Sequence, residues 1–289
     1  MVLFSYMFKV FEKIELNNED EIINEEVKTV SINNNGIIEE LELEDYVIGV
    51  VACEVPASFE YEALKAMSVA ARTFALYKIE TNDNYVFSTG TKDQCYITNE
   101  KMKKNWNSNF ENNYNKIKNA VMETKNEHMT YNDKTIISFY FSISNGYTEN
   151  CENVFSQKLD YLVSVDSSWD KDYSYKEKSV SFSEKEFLNK LGINDDKVNE
   201  LKINRGNTGR ADSIIVNGVK FKGTKFRSLL KLRSTDIEIN IKDSKVNIIT
   251  KGYGHGVGMS QYGAKKKKKN GYKYDEILKH YYSGIEIDV

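Results

Sequence analysis

A chain of 289 residues, 40% of them apolar, can form one large domain or two ordinary ones and carries enough apolar material for a folded core. Acidic residues exceed basic ones by 43 to 40, which excludes a nucleic-acid binder that works through bulk positive charge. The single proline and the 12% aromatic content exclude disordered and collagen-like chains.

The N-terminal run MVLFSYMFKVF is apolar, but Lys9, Glu12 and Lys13 interrupt it well short of the roughly 20 apolar residues that span a bilayer. It also lacks the basic start and small-residue cleavage site of a signal peptide. Residues 1–20 therefore read as a separate segment, the remnant of an anchor at most. An acidic lead-in follows, then Val27, Val30 and Ile32 alternate ahead of Ile37, Ile38, Leu41 and Leu43, which predicts strands about a turn at Asn33 to Gly36.

From Leu43 the chain reads LEDYVIGVVACEVPASFEYEALKAMSVAARTFALYK. Glu44 and Asp45 suit a helix start, and Pro56 disfavours helical geometry at Val55, so a first helix ends near Glu54. A second begins after Ser58 and runs to about Tyr77, with Lys65, Ser68 and Arg72 as a polar stripe. Seven of the ten alanines lie between Ala52 and Ala75. Beyond them, residues 80–130 read as a solvated, peripheral helical subdomain of a single domain spanning 21–289. Residues 135–165 and 198–250 are expected to be strand-rich, and Tyr272 to Tyr282 has helical spacing. The run Lys265 to Lys269 reads as a solvated face. The fold expected is α+β: curved antiparallel sheets packed around a buried alanine-rich helix.

Four features suggest chemistry. Glu54 follows Val50-Val51-Ala52-Cys53 and precedes Val55-Pro56, so a carboxyl there is expected to have a raised pKa and to serve as a general acid, or else to satisfy backbone N–H groups at the helix break. The loop KGYGHGVGMSQYGA holds five of the 16 glycines together with His255, Ser260 and Gln261. It has neither dinucleotide nor phosphate-loop spacing. In FYFSISNGYTENCENVF a strand gives way to a Ser144-Asn145-Gly146 turn, which turn chemistry alone can explain. The cysteines, Cys53, Cys95 and Cys151, are odd in number and widely spaced, and read as isolated buried thiols rather than a disulfide framework or zinc site. His128 and His280 fall in solvated helical patterns and are read as non-functional.

Together these segments resemble the stage II sporulation protein D family, which includes the amidase-enhancer domain of autolysin systems. DYVIGVVACEVPASFEYEALKAMSVAARTFAL is similar to the stretch around that family's essential glutamate, SISNGYTEN to its Ser-x-Ser-x-Gly-x-Thr-Glu turn, and GYGHGVGMSQYGA to its C-terminal signature. GNTGRADSIIV and FRSLLKLRSTDIEI lie between them in matching order, so the resemblance covers about residues 36–289. It implies a lytic transglycosylase acting on peptidoglycan glycan strands during spore engulfment, outside the cytoplasmic membrane at the engulfing septum, with an N-terminal anchor. The sporulation proteins M and P are implied as partners, the latter removing stem peptides first.

By the same resemblance Glu54 is the catalytic residue, and Lys65, Arg72, Ser144, His255, Ser260 and Gln261 contact the glycan. No cofactor or metal is expected, and activity is expected to need no cysteine. Phe141 departs from the pattern, standing where many relatives have histidine, and Cys95 has no histidine nearby. Two rival readings are a peptidoglycan-binding or amidase-activating protein that does not cleave, and a cysteine hydrolase pairing Cys53 or Cys151 with His255, for which no recognisable nucleophile setting is present. The loop glycines are expected to let His255, Ser260 and Gln261 pass close to the alanine-rich helix, in one cleft with Glu54 and Arg72.

Overall fold

The computed structural model describes residues 27–289 except 35, 91, 173–176 and 270, so the segment 1–20 lies outside the described residues. Strands β1 (Thr29–Asn34) and β2 (Ile37–Glu42) pair antiparallel, and Gly36 N–H closes their turn on Asn33 Oδ1 at 2.7 Å. β2 runs directly into helix α1 (Leu43–Glu54), in which Tyr46 through Ala52 are all buried. A helix apolar on nearly every side belongs inside a core. It stops where Val55 turns extended ahead of Pro56, at φ −134° and ψ 148°.

Helix α2 (Tyr61–Thr81) is the centre of the molecule. Ala63, Ala66, Ala70, Ala71 and Ala75 are buried along it, and short side chains let neighbouring backbones come near. The Ser68 and Thr73 hydroxyls donate back to the Leu64 and Val69 carbonyls at 2.8 and 2.7 Å, so the polar residues of this helix are satisfied within the core. Strand β3 (Val86–Ser88) lies parallel to β1. Helices α3 (Asn99–Trp106) and α4 (Phe110–Met122) follow; their outer faces are solvated, and Met102, Ile117, Ala120 and Val121 enter the main core.

Strand β4 (His128–Tyr131) pairs with the short β5 (Lys134–Thr135), so His128 opens a strand and not a helical stretch. Strand β6 (Tyr140–Phe141) and helix α5 (Cys151–Phe155) are the remaining regular elements before residue 165. The stretch expected to be strand-rich is mostly irregular because its backbone bonds go to loops. Ile143 pairs with Tyr253, Glu149 N–H donates to Gly256 and Thr148 N–H donates to Val165.

A second core begins with β7 (Glu177–Ser183), α6 (Glu184–Leu191), β8 (Leu201–Arg205), β9 (Ala211–Val216) and β10 (Val219–Lys222). Helix α7 (Gly223–Leu229) and strands β11 (Asp236–Lys242) and β12 (Lys245–Lys251) complete it. Two antiparallel sheets, ordered β10-β9-β8 and β11-β12-β7, set Ile214, Val216, Val246 and Ile248 among Phe187, Leu188 and Phe226. The glycine-rich loop then returns the chain to the first core. There β13 (Met259–Ser260) lies parallel to β6, α8 (Gln261–Lys269) and α9 (Tyr274–Tyr281) pack on α2, and β14 (Glu286–Asp288) pairs with β4.

Helices and small, mainly antiparallel sheets around buried α2 make this an α+β fold. Within the 265–269 run Lys267 is not solvated: it is buried over the Trp169 and Tyr272 rings, where a long apolar stem and a cation both find contacts. No helix among the described residues is long and apolar enough to cross a membrane.

Candidate active site

Helix α1 ends on a carboxylate that three chain segments converge upon. Glu54 Oε1 accepts the Cys95 backbone N–H at 2.9 Å, and Oε2 accepts Gln261 Nε2 at 3.1 Å. The Tyr140 hydroxyl on β6 is a third donor. Gln94 braces that tyrosine, donating to its hydroxyl at 3.0 Å and to the Ala71 carbonyl at 3.2 Å while accepting from the Tyr46 hydroxyl at 3.2 Å. Burial raises the Glu54 pKa above the usual carboxylate range, and the three donors oppose that rise without cancelling it.

The expectation of three isolated thiols is overturned. Cys53 and Cys95 form a disulfide, with Cα atoms 5.5 Å apart, and only Cys151 is a free, buried thiol. The pair brackets Glu54: one sulfur belongs to the preceding residue, the other to the residue whose N–H the carboxylate accepts. The cysteine-hydrolase reading loses both nucleophiles, since Cys53 is oxidised and burial pushes the Cys151 thiol up to about 11, keeping it protonated.

Beside Glu54 lies a cleft of about 190 Å³ lined by Phe74, Lys92, Asp93, Gln94, Ser138, Phe139, Tyr140, Phe155 and His255. Gln94 and Tyr140 belong both to its wall and to the Glu54 network. His255 packs against Phe139, Phe141 and Phe155, and burial lowers its pKa to about 4, so the ring is neutral at physiological pH. Its Nδ1 accepts the Val257 N–H at 3.1 Å, which leaves the proton on Nε2, facing the Tyr140 carbonyl. Phe141 is one of the rings that encloses it. Asp93 is the carboxylate in the cleft's own lining. Burial alone would raise its pKa, but the Tyr85 hydroxyl and the Ser88 N–H and hydroxyl outweigh that and hold it below the ordinary value.

The remaining sequence candidates lie elsewhere. Arg72 is wholly buried and grips Glu44, in the first turn of α1. Ten residues of helix separate Glu44 from Glu54, roughly 15 Å along the axis, so Arg72 is not part of the Glu54 cleft. Lys65 pairs with Glu123 at 2.6 Å and lies over the Tyr61 and Tyr274 rings. Ser144 and Ser260 are buried behind the site on one carboxylate: Asp170 Oδ2 accepts Ser144 N–H at 2.9 Å and the Ser260 hydroxyl at 2.7 Å. Of the sequence candidates in the glycine-rich signature, His255 and Gln261 reach the Glu54 surroundings and Ser260 does not.

The loop glycines also serve a different neighbour from the one expected. A Cβ on Gly258 would stand 2.0 Å from the Phe139 carbonyl oxygen, and one on Gly254 would stand 2.6 Å from Phe141 Cβ. The loop therefore hugs the 139–141 strand, not the alanine-rich helix. That contact sets β13 on β6 and delivers Gln261, the next residue, to Glu54.

Tyr140, Gln94 and the Cys95 N–H were not visible as site residues. Tyr140 sits inside an apolar run whose alternation gives two faces without saying which is the site, and nothing around Gln94 marks it. The odd cysteine count, compatible with one bridge and one spare thiol, was the available signal for Cys95. A larger cleft of about 550 Å³ opens by Tyr147, Asn150, Asn207 and Thr208. Its buried carboxylate, Glu149, is already held on both oxygens, by Asn153 and by Thr208. Among the described residues no cluster of His, Cys, Asp or Glu could hold a metal ion.

The arrangement can be set beside known proteins. A family model described as stage II sporulation protein matches residues 31–131, the stretch containing α1, α2 and Glu54. The stage II sporulation protein D of Bacillus amyloliquefaciens is 40% identical over 262 residues, 88% of this chain and 76% of that protein. The chain belongs to the stage II sporulation protein D family. The Bacillus subtilis (strain 168) protein of the same name is 39% identical over 261 residues, with the same coverage of each chain. An amidase enhancer of Bacillus subtilis is 30% identical over 295 residues, covering 83% of this chain and 40% of that protein. This is a sporulation protein with an amidase-enhancer homologue, and Glu54 lies within the segment that the family model covers.

Proposed function

We propose that the chain is a lytic transglycosylase that cleaves the bond between N-acetylmuramic acid and N-acetylglucosamine in peptide-stripped glycan strands, with Glu54 as its single acid and base. The observation that carries this reading is a contrast between Glu54, which the cleft residues Gln94 and Tyr140 adjoin, and Asp93 in the cleft lining. Glu54 is half-buried and, through desolvation, protonates more readily than an ordinary glutamate, whereas Asp93 is fully engaged by Tyr85 and Ser88. A hydrolase of the usual kind needs a second carboxylate free to activate water or to attack the sugar. A lytic transglycosylase does not.

Protonated Glu54 donates to the glycosidic oxygen as the bond to muramic C1 breaks. The carboxylate so formed then takes the proton from the muramic C6 hydroxyl while that oxygen bonds to C1, leaving a 1,6-anhydro end and returning Glu54 to its starting state. Gln261 and Tyr140 hold the carboxyl in place, and the aromatic wall of Phe139, Phe155 and neutral His255 offers a sugar an apolar face. No cofactor enters the cycle.

Action outside the membrane at the engulfing septum, with the sporulation proteins M and P, completes the proposal by family resemblance. The relative named amidase enhancer supports a second reading, in which the same cleft binds glycan without cutting it. Mass spectrometry of peptide-free glycan strands after incubation with the protein separates them. Anhydro ends are expected; intact strands that bind to the protein would establish the second reading.

A further inference from the structure

We propose that the Cys53–Cys95 disulfide is a positioning element for Glu54, which makes glycan cleavage dependent on the redox state of this pair. The inference rests on the function proposed above for Glu54. Its first ground is connectivity. Cys53 precedes Glu54 on the last turn of α1, and the Cys95 N–H that Glu54 accepts at 2.9 Å belongs to the residue bonded to Cys53. The disulfide and the hydrogen bond close a small ring around the carboxylate, so Oε1 and its donor are fixed relative to each other by covalent structure.

The second ground is that, among the described residues, the segment carrying Cys95 has no helix or strand of its own between β3 and α3. Its other ties include the Gln94 bonds to Ala71, Tyr140 and Tyr46, a Tyr96 ring stacked on Tyr46 at 5.6 Å, Tyr96 N–H to Thr89 and Ile97 N–H to Gly49 carbonyl bonds at 3.4 and 3.3 Å, and the Asp93 bonds to Ser88 and Tyr85. These keep the segment docked when the bridge opens, while the Cys95 peptide itself loses its nearest restraint. Opening the bridge therefore acts on the site and leaves the fold in place. A third ground is access: Cys53 and Cys95 are both partly exposed, whereas Cys151 is buried, so a reductant in solution reaches this pair.

The step is a two-electron exchange. A dithiol reductant supplies two electrons and two protons; the Cys53–Cys95 S–S bond breaks, two thiols form, and the reductant closes its own disulfide. Glu54 then loses a charge-assisted donor, and its carboxyl is left to Gln261 and Tyr140. The other titratable groups near it, Tyr46 on α1, Asp93 on the loop and Tyr140 on β6, keep their places.

The test uses the whole protein, oxidised or treated with dithiothreitol, with thiol counts under denaturing conditions to define each state and circular dichroism to confirm the fold. Reduction is expected to lower kcat for anhydro-end formation by roughly 10- to 100-fold with little change in KM, because a donor is lost and a reacting group is loosened. It is also expected to move the basic limb of the pH profile upward. Cys53→Ser and Cys95→Ser should reproduce the reduced enzyme and ignore the reductant, and Cys151→Ser should keep the full redox response. Equal kcat and equal pH profiles for folded oxidised and reduced protein overturn the proposal. A second readout needs no activity: the 13C-labelled Glu54 carboxyl should titrate at higher pH after reduction, and an unmoved titration also overturns it. If the carboxyl shift appears and neither state makes anhydro ends, it is the cleavage reading that fails while the positioning role stands.

Discussion

Arg72 holds Glu44 by two hydrogen bonds, Nε to Oε1 at 2.8 Å and Nη2 to Oε2 at 2.6 Å, and its remaining donors reach the Glu127 and Val121 carbonyls. A wholly buried guanidinium is tolerable only when it is paired in this way. Arg72 thus pins the start of α1 to α2, while Glu54 works at the other end of the same helix.

Arg72→Met should therefore behave as a stability variant. It strands Glu44 and two carbonyls, and the expected loss is about 3 to 5 kcal/mol in denaturant unfolding. Where the variant remains folded, KM for glycan should be unchanged. A raised KM at unchanged stability would return Arg72 to the substrate site.

Glu54→Gln should abolish anhydro-end formation, by about 100- to 10,000-fold or more, with the fold intact. Its stability should also depend on pH in a defined sense. The folded-state pKa of Glu54 is raised, so its stabilising effect is complete at low pH and is lost as pH rises through that value. Glutamine carries no such dependence. The Tm of the variant relative to the parent should therefore rise as the pH is raised above the ordinary glutamate range, and a difference flat with pH would contradict a raised Glu54 pKa.

His255 should be silent as an acid or base near neutrality. With its pKa near 4, the ring stays neutral above about pH 5. Nitrogen-15 NMR should report one neutral tautomer, protonated on Nε2, from pH 8 to 5.5. An imidazole titrating between 6 and 7 would mean that the aromatic wall is open to water.

Asp170 should matter to the fold more than its place in the short 3-10 turn Ser168–Asp172 suggests. One of its oxygens accepts from Ser144 N–H and from the Ser167 and Ser260 hydroxyls. Asp170→Ala leaves these donors buried, at an expected cost of about 2 kcal/mol or more. Asp170→Asn retains an acceptor and should lose less, as thermal unfolding of the pair would show.

Much of this was legible in the residues. The Val55-Pro56 break located the end of α1, and an apolar setting around Glu54 gave the direction of its pKa shift. The polar stripe of α2 misled, because Lys65, Ser68 and Arg72 share a helical face whether that face meets water or a carboxylate from another helix. Only the approach of Glu44 separates the two cases, and no local pattern encodes it. The disulfide was hidden for a similar reason: its halves are 42 positions apart, and three cysteines leave the pairing open. The loop glycines marked a close approach correctly but could not name the neighbour, which is Phe139 and Phe141.

Glu54 takes its donors from residues 41 and 207 positions further along, at Cys95 and Gln261, with Tyr140 between them. The earliest of these pairings needs the first hundred residues in place, and the last needs almost the whole chain, after the second core has been built and left. Contacts of such separation are closed late when a chain folds, since each must offset the entropy of a long loop. A nascent or partly unraveled copy thus carries Glu54 without its full setting. The full set of donors around Glu54 therefore arrives only with the finished fold.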